Sequence, residues 1–409
     1  MSILRPFLAR VIRHGQLTVL SPDGSSESFG APAAGYPEVT VRFTTRKGMR
    51  RIILDPRLGA AEAFMDGEME IVQGDIMELI GLLRANTPWD RGAKLKDKTA
   101  LGEWIEGVKT RLNSINRRRS SRANVAHHYD IGNDLYRLFL DSDMQYSCAY
   151  WPRPDMTLEE AQAAKKAHIA AKLALAPEQR VLDIGCGWGG MAITLAQLER
   201  VEVLGITLSE EQLALARERA TAAGVADRVR FELIDYRDLA EREVGGFDRI
   251  VSVGMFEHVG AANFETFFRA CANPMTADGV MLLHTIGRFG KPGATDAFTR
   301  KYIFPGGYIP ALSETVAASE KSRLIVTDVE TLRLHYARTL RQWYARTLAH
   351  RDEIVAMMDE RFYRMWTFYL AGATAAFESG GMGNSQIQFA RHRHALPLTR
   401  DYMAEAEGH

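Results

Sequence analysis

Between residues 180 and 284, short apolar runs alternate with helical patterns. Five of these runs predict strands: 180–184, 202–206, 228–234, 247–253 and 280–284. Helices are predicted at 191–198 and 210–223, and Ser209 is the expected N-cap of the second. This alternation is typical of an α/β fold with a doubly wound parallel sheet. Because such sheets bind ligands beyond the carboxyl ends of their strands, the functional residues are expected there.

The first 85 residues have a different pattern. Strand-like runs are expected at 39–43 and 51–54, followed by a helix at 76–83, and together they predict a smaller α+β domain. The extreme N-terminus carries apolar residues at helical spacing, with Arg5, Arg10 and Arg13 among them. This helix is expected either to dock on its own domain or to lie on an anionic membrane surface.

A basic stretch separates these two regions. Residues 91–122 contain ten basic residues and three acidic ones, whereas the whole chain has no net charge. The expected organisation is a small domain at 1–90, a basic linker at 91–122 and a larger domain at 123–409. The stretch includes Arg117, Arg118 and Arg119, and it is expected to be either a solvated linker or a contact for anionic headgroups.

Composition limits the possible functions. Lysine and arginine together number 51, as do aspartate and glutamate, so no overall charge favours nucleic acid. The longest apolar runs, such as 280–283, are far too short to span a bilayer. Cys148, Cys186 and Cys271 lack the spacing of a zinc site or a disulfide framework. No metal is therefore expected, and a reducing cytoplasm is the predicted location.

The first strand of the larger domain runs into a glycine-rich turn. Residues 181–190 read VLDIGCGWGG, in which Gly185, Gly187 and Gly190 satisfy the dinucleotide pattern GxGxxG. Glycines at such a turn let a ligand approach the backbone closely. Asp183 lies at the strand end, where a carboxylate suits a cationic methionine moiety and repels a pyrophosphate. The loop favours S-adenosylmethionine (SAM) over a nicotinamide cofactor, and a purely structural turn is the alternative.

The next two strands carry the expected contacts to the remainder of SAM. No acidic residue closes the second strand to bind a ribose, so Thr207 and Gln212 are expected to supply neutral hydrogen bonds. After the third strand, Asp235 offers a carboxylate for the adenine amino group, and Tyr236 offers a ring for stacking. A simple turn residue is the alternative interpretation of Asp235.

Further polar residues stand in apolar surroundings. Glu257 and His258 follow the fourth strand, His284 closes the fifth, and Cys148 lies in the run QYSCAYW at 145–151. Taken singly, His284 is interpretable as a core histidine and Cys148 as a small buried apolar residue. Their expected placement at the ligand-binding edge of one sheet favours a shared active site.

The sequence resembles the cyclopropane-fatty-acid synthases and the related mycolic acid cyclopropane synthases. This resemblance runs from about residue 123 to the end, and the first hundred residues resemble, less specifically, the N-terminal domain of the bacterial phospholipid enzymes. The matching blocks are HYDIGND at 128–134, QYSCAYW at 145–151, VLDIGCGWGG at 181–190, GITLSEEQ at 205–212, DYRDL at 235–239, DRIVSVGMFEHVG at 248–260, LLHTIG at 282–287 and KYIFPGG at 301–307.

The resemblance implies a Rossmann-like SAM-dependent methyltransferase and a set of site residues. In this family, SAM donates a methyl group to a cis alkene, and the carbocation loses a proton to bound bicarbonate as the ring closes. The residues that match the bicarbonate cradle are Cys148, Glu257, His284, Ile286 through its backbone, and Tyr336. Those that match the SAM pocket are Tyr146, Ser147, Asp183, Gly185, Gly187, Trp188, Thr207, Leu208, Gln212, Asp235 and Tyr236. Tyr302 matches the acyl channel.

Two positions bear on the implied mechanism. Ala373 stands where many members carry a cysteine, so a mechanism that uses that thiol is excluded here, whereas the bicarbonate scheme does not need it. Glu257 would repel a neighbouring anion unless the two share a proton or a cation lies near, and the SAM sulfonium is one such cation.

The implied substrate is a membrane phospholipid with an unsaturated acyl chain. Peripheral association with the inner face of the membrane is expected, through a lipid-associated domain at 1–90, and a homodimer is compatible with that arrangement. The Phe- and Met-rich segment at 357–377 is expected to be core or the wall of an acyl tunnel. The alternatives are methylation of the same double bond to give a methyl-branched chain, a small-amine N-methyltransferase, and a non-catalytic lipid-binding protein.

Overall fold

The computed structural model describes residues 4–92 and 132–407. The predicted basic linker lies outside the described residues from residue 93 onward, as do the first four residues of the block at 128–134. The strands are β1 Gly15–Leu20, β2 Ser26–Ala31, β3 Glu38–Phe43, β4 Met69–Gln73, β5 Arg180–Ile184, β6 Glu202–Thr207, β7 Val229–Leu233, β8 Phe247–Val253, β9 Met275–Arg288, β10 Ile325–Leu332 and β11 Met382–Ala390.

The helices of the described residues are numbered along the chain. They are α1 Leu4–Val11, α2 Arg46–Leu54, α3 Pro56–Met65, α4 Ile76–Ala85, α5 Asn133–Phe139, α6 Leu158–Leu173, α7 Gly190–Leu198, α8 Glu210–Ala222, α9 Tyr236–Arg242, α10 Phe264–Ala272, α11 Leu312–Glu320, α12 His335–Ala349, α13 Arg351–Met357, α14 Glu360–Glu378 and α15 Asp401–Ala406. Within the ranges 4–92 and 132–407, no helix is both long enough and apolar enough to cross a bilayer.

The described residues form two compact units. The first combines residues up to 92 with 296–305 and 337–382, and the second combines 132–295, 306–336 and 383–407. A single domain was expected from residue 123 to the end. Instead, residues 296–305 and 337–382 group with the N-terminal residues. Rings of Phe64 and Phe368 lie 6.2 Å apart, and Arg361 Nε donates to Asp66 Oδ1 over 2.9 Å. These contacts attach α14 to the first unit.

The first unit contains a four-stranded sheet in the order β2-β1-β3-β4. β1 runs antiparallel to β2 and parallel to β3, and β3 runs antiparallel to β4. Alternate residues are buried, including Leu17 and Val19 on β1 and Val39 and Val41 on β3, so one face of the sheet forms a core. The predicted strand at 39–43 and helix at 76–83 are confirmed, each within about two residues.

The strand-like run at 51–54 was a wrong prediction, because these residues end the helix α2. The Thr45 hydroxyl caps the helix by accepting from the Gly48 N–H over 3.1 Å. Arg51 then pairs with Asp66 over 2.6 Å on one side of the helix. The cap and this pairing outweigh the strand preference of the two consecutive isoleucines in the run.

The Phe- and Met-rich segment proves to be core only in part. Met365, Trp366 and Phe377 are buried, whereas Met357 and Met358 are about two-fifths exposed, at 43% and 40%. The core interpretation is therefore confirmed for the apolar face of α14, while the end of α13 presents methionines at the surface.

The second unit contains a seven-stranded sheet in the order β10-β11-β9-β8-β5-β6-β7. The strands β5 to β9 pair in parallel, and β10 pairs antiparallel with β11, so the predicted doubly wound α/β sheet is confirmed. Successive residues of β5 belong to different hydrophobic clusters. Val181 lies in the cluster that includes residues of α7 and α8, and Leu182 lies in the cluster that includes residues of α10. Helices cover both faces, which leaves the carboxyl ends of the parallel strands as the open edge.

Candidate active site

The glycine turn joins β5 to α7. Gly185, Gly187 and Gly189 all have positive φ, at +79°, +55° and +82°. A side chain at Gly185 would come within 2.9 Å of Met255, and one at Gly189 within 2.7 Å of Phe231. At Gly187, by contrast, nothing lies within 4 Å of an added Cβ. The turn is therefore packed at both ends and open at Gly187, where a ligand can approach the backbone.

Asp183 lies near the end of β5, two residues before the first glycine of this turn. The residue is only 1% exposed, and its Oδ2 atom has no hydrogen-bond partner among the residues that the structure describes. Burial raises the pKa of this carboxyl group to about 7, against the opposing effect of the Lys165 ammonium. A buried carboxyl oxygen without a partner fits a ligand that brings a cationic donor, as the methionine moiety of SAM does.

Two of the predicted ribose residues contact each other beyond β6. Thr207 Oγ1 donates to Gln212 Oε1 over 2.9 Å, and both side chains are buried. Ser209 caps α8 by accepting from the Gln212 N–H, so the predicted N-cap is confirmed. Leu208 lies between them and is half-buried. These residues form one short segment beside the glycine turn, because β6 pairs directly with β5.

Asp235 follows β7 and is more engaged than the sequence suggests. It caps α9 by accepting from the Arg237 N–H over 3.0 Å, and its oxygens pair with Arg237 Nε and Nη2 over 2.8 Å and 2.7 Å. These contacts agree with the alternative interpretation of Asp235 as a turn residue. A further contact of Asp235 with adenine stays a prediction. Tyr236 is half-buried, with its ring edge-on to Phe267 at 5.4 Å.

An aromatic cluster gathers two more of the predicted residues. Tyr146 and Trp188 lie 5.3 Å and 5.1 Å from the ring of Tyr136, and Tyr146 is also 6.3 Å from Phe139. Trp188 Nε1 donates to Asn133 Oδ1 over 2.8 Å. The residues of α5 were not predicted as part of the site, although they follow the block at 128–134.

Two of the predicted bicarbonate residues, one after β8 and one near the end of β9, are in contact. The Ile286 N–H donates to Glu257 Oε1 over 2.5 Å, and Glu257 Oε2 is buried with no hydrogen-bond partner in the ranges 4–92 and 132–407. His284 is fully buried two residues earlier, and its Nε2 atom also has no partner in those ranges. Burial raises the pKa of Glu257 and lowers that of His284 well below its usual range. Both groups are therefore driven toward their neutral forms.

Cys148 and Tyr336 belong to segments that touch each other. The Trp151 N–H donates to His335 Nδ1 over 2.9 Å, which joins the 148–151 segment to the start of α12. Cys148 is fully buried, and burial raises the pKa of its thiol, so it acts as a neutral group. Tyr336 is 7% exposed.

Tyr302 lies in the first unit rather than the second. Its hydroxyl donates to Glu62 Oε1 over 2.9 Å, and its ring is 5.6 Å from Phe298. Lys301 pairs with the same carboxylate oxygen over 2.7 Å. A role for Tyr302 in an acyl channel stays a prediction.

Sequence analysis missed four buried polar residues on α6, one of which is His168. Gln162 and Lys165 are fully buried, and Gln162 Nε2 donates to the Ser147 carbonyl oxygen over 2.9 Å. Lys165 Nζ donates to Ser147 Oγ over 2.8 Å, and burial lowers its pKa to about 8. Lys172 completes the set at 1% exposure. Their spacing places them on one helix face, but Gln and Lys on one face ordinarily indicate exposure to solvent, so the sequence pattern did not signal their burial.

A glycine turn over a buried carboxyl group, at the open edge of a parallel sheet, is the arrangement of a Rossmann-like SAM-dependent methyltransferase. The sequence model of the family described as "Mycolic acid cyclopropane synthetase" matches residues 116–387. The chain belongs to this family, and it is an enzyme. The predicted family and fold class are both confirmed.

Individual relatives cover most of the chain. The "Cyclopropane-fatty-acyl-phospholipid synthase" of Escherichia coli K12 is 38% identical over 362 residues, which is 88% of this chain and 90% of that protein. A "Probable fatty acid methyltransferase" of Pseudomonas putida is 39% identical over 351 residues, covering 83% and 85%. The crystal structure of a mycolic acid cyclopropane synthase complexed with SAH and CTAB matches at 35% identity with a TM-score of 0.62, covering 66% of this chain and 98% of that one.

Proposed function

We propose that this enzyme transfers the methyl group of SAM to the cis double bond of an unsaturated phospholipid acyl chain and closes a cyclopropane ring. The observation that carries the proposal is a pair of buried atoms, Glu257 Oε2 and His284 Nε2, that have no hydrogen-bond partner in the part of the chain that the structure describes. Leaving a buried polar group unsatisfied costs about 1–3 kcal/mol, so two of them near one strand end support a ligand that satisfies both.

Bicarbonate fits this pair by its chemistry. It carries one hydroxyl donor and further oxygens that accept, whereas Glu257 Oε2 can accept or share a proton and an imidazole nitrogen can donate. The raised pKa of Glu257 eases the repulsion between this carboxyl group and an anion. Cys148 and Tyr336 are proposed to complete the cradle, while the Ile286 N–H, which donates to Glu257, orients that side chain.

The residues around the pair suit a reaction that passes through a carbocation. An alkene has no proton to remove beforehand, so the site needs no activated nucleophile. Cys148, Glu257 and His284 are all buried, which keeps water away from the cation. When bound, SAM supplies an electrophilic methyl group and bicarbonate accepts the released proton.

Three observations support a membrane phospholipid as the substrate. The match to the Escherichia coli relative spans 362 residues and so includes much of the N-terminal region, which the family match from residue 116 omits. The name of that relative includes the term fatty-acyl-phospholipid. On α1, Arg5, Phe7 and Arg10 are exposed, as an interfacial helix requires. We therefore propose peripheral contact with the inner face of the membrane, and a homodimer stays a prediction.

The test is product analysis. Purified protein is incubated with SAM and vesicles of cis-unsaturated phosphatidylglycerol, and the fatty acids are examined by mass spectrometry before and after mild hydrogenation. A product heavier by one methylene unit that resists hydrogenation is expected. Unchanged lipids with folded, SAM-binding protein would rule the proposal out, and methylation of a small amine instead would point to an N-methyltransferase.

A second candidate is methylation of the same double bond without ring closure. This candidate is supported by the Pseudomonas putida relative, which is named a probable fatty acid methyltransferase. The methyl donor and the cradle serve both reactions, because they differ only in which proton the cation loses. A product that takes up hydrogen would establish this alternative.

A further inference from the structure

A chain of hydrogen bonds leads from His284 away from the cradle. Gln386 Nε2 on β11 lies 3.2 Å from His284 Nδ1, and Lys172 Nζ on α6 donates to Gln386 Oε1 over 2.8 Å. Lys172 Nζ also bonds to Glu330 Oε2 on β10. Lys172, Gln386 and His284 are each at most 1% exposed, so no water competes for these contacts.

The donor and acceptor roles along this chain follow from Lys172. An ammonium group has donors and no acceptor, so the amide atom that it contacts must be the oxygen of Gln386. The amide nitrogen of Gln386 is then turned toward His284, where it donates to Nδ1. An imidazole nitrogen that accepts a hydrogen bond carries no proton.

His284 is held neutral in this setting. Burial lowers its pKa well below the usual range, and the nearby cations Lys165 and Lys172 lower it further. A neutral imidazole has one protonated nitrogen and one bare nitrogen. Because Nδ1 accepts from Gln386, the proton lies on Nε2, the atom that has no partner among the described residues.

Burial lowers the pKa of Lys172, and the hydrogen-bonded Glu330 opposes that effect. Its Oε2 also lies 2.6 Å from His168 Nε2, and His168 Nδ1 contacts Glu407. Burial acts to raise the pKa of Glu330, but His168 and Lys172 outweigh it and hold that pKa at about 2. A carboxylate therefore stands against the Lys172 ammonium and fixes it beside Gln386.

We propose that Lys172 and Gln386 are positioning residues that fix neutral His284 as the Nε2–H tautomer, so that His284 donates a hydrogen bond to the anion held beside Glu257 and does not accept the reaction's proton. The catalytic consequence rests on the proposed function, whereas the tautomer itself does not. His284 would then orient the anion that accepts the proton. Residues that hydrogen-bond to the far nitrogen of a ligating histidine commonly fix its tautomer and its orientation in this way.

The tautomer can be measured in the unmodified enzyme. Protein labelled with ¹⁵N at its 11 histidines is examined by long-range ¹H–¹⁵N correlation, and the His284→Gln variant identifies the signals of His284. We expect a protonated Nε2 and a bare Nδ1 that persist from pH 6 to pH 8. A protonated Nδ1, or an imidazolium, in the wild-type enzyme would overturn the proposal whatever reaction the enzyme performs.

A pair of variants separates positioning from simple packing. Gln386→Glu replaces the donor with an acceptor and should move the proton to Nδ1, whereas Gln386→Met removes both roles and should give a mixture of tautomers. Turnover should fall roughly 10- to 100-fold in Gln386→Glu and less in Gln386→Met, with SAM affinity unchanged in both.

Equal losses in the two variants, or a moved proton with full turnover, would overturn the positioning role. If Gln386→Glu does not fold, Lys172→Met tests the same chain, because loss of the ammonium frees the amide to turn and should mix the tautomers. If the wild-type enzyme leaves alkenes unchanged, the proposed function fails, while the tautomer measurement still decides the structural assignment.

Discussion

The backbone N–H of Ile286 donates to Glu257 Oε1, so that β9 fixes one oxygen of the carboxyl group, while Oε2 has no hydrogen-bond partner in the described part of the chain. The donor is a main-chain N–H, so a substitution at position 286 that keeps this N–H also keeps the contact. It also gives Glu257 an orientation in the absence of any ligand. Glu257 is in this sense preorganised for the chemistry proposed here.

Glu257→Gln should reduce turnover by about 100-fold or more, because an amide still accepts from Ile286 but neither ionises nor shares a proton. The measurement is incorporation of label from methyl-labelled SAM into vesicle lipids, with SAM affinity by calorimetry as a check on folding. Glu265→Gln makes the same chemical change at an exposed site on α10 and should leave turnover intact. Full activity of Glu257→Gln would show that the cradle is wrongly assigned.

Asp183→Asn should strengthen the ligand-free fold at neutral pH and weaken SAM binding. The folded-state pKa of Asp183 is raised to about 7 from 3.8, so its contribution to stability is complete below pH 4 and is lost as pH rises through 7. Relative to the variant, the wild type should lose on the order of 1.4 kcal/mol per pH unit within that window. Urea unfolding from pH 4 to pH 8 measures this difference.

In the same variant SAM affinity should fall about tenfold, because a charged hydrogen bond to the methionine moiety is lost. SAM affinity in the wild type should rise between pH 6 and pH 8 as Asp183 ionises, and the variant should show no such rise. Parallel pH profiles in the two proteins would separate Asp183 from the SAM pocket.

Gly187→Ala should block SAM while the protein stays folded. The added methyl group meets nothing within 4 Å among the described residues, so the expected cost to folding is that of the positive φ, about 1 kcal/mol. Gly245→Ala is the matched control, because Gly245 has φ +62°, equally open surroundings and an exposed position. Both variants should lose similar stability by thermal unfolding, and only Gly187→Ala should lose SAM binding. Unchanged affinity would place the ligand elsewhere.

Glu330→Gln should destabilise the fold by about 1–3 kcal/mol at pH 7, because it leaves the buried Lys172 ammonium without its carboxylate. The pKa of Glu330 is lowered to about 2 from 4.5, so its stabilising effect is present above pH 4.5 and is lost as pH falls toward 2. Urea denaturation at pH 7 and pH 3 should therefore show a larger difference from wild type at pH 7.

Glu178→Gln provides the comparison for that experiment. Glu178 pairs with Arg200 over 3.0 Å, but both side chains are more than two-thirds exposed. Its loss should change the free energy of unfolding by less than about 0.5 kcal/mol. A similar effect at both positions would mean that Lys172 does not depend on Glu330.

The sequence was sufficient for the parallel strands β5 to β9 because each contains an apolar run, whereas β10 and β11 mix polar and apolar residues and were not predicted. The predicted limits of β5 and β8 match those observed, and β6 and β7 differ by about one residue at an end. The run at 51–54 failed because α2 depends on the Thr45 cap and on Arg51 pairing with Asp66, a residue beyond the next helix. Periodicity alone does not report such contacts.

The candidate site was predictable where polar residues interrupt apolar strand ends, as at Asp183, Glu257 and His284. It was not predictable on α6, since a row of Gln and Lys on one helix face ordinarily indicates exposure to solvent. The burial of Lys172 follows from contacts with β10 and β11, where its partners Glu330 and Gln386 lie about 160 and 215 residues away along the chain. The burial of Lys165 follows from contacts with Gln145 and Ser147, in a segment without regular secondary structure.

The assignment of 337–382 to the first unit means that no single cut separates the two units into independent pieces. A fragment that ends near residue 92 would lack α14, and the complementary fragment would carry α14 with Phe368 and Arg361 stripped of Phe64 and Asp66. The N-terminal region therefore cannot be exchanged between relatives as a detachable module. Its sequence must change together with that of α14, so a chimera joined at the predicted linker should fold only when both segments come from the same parent.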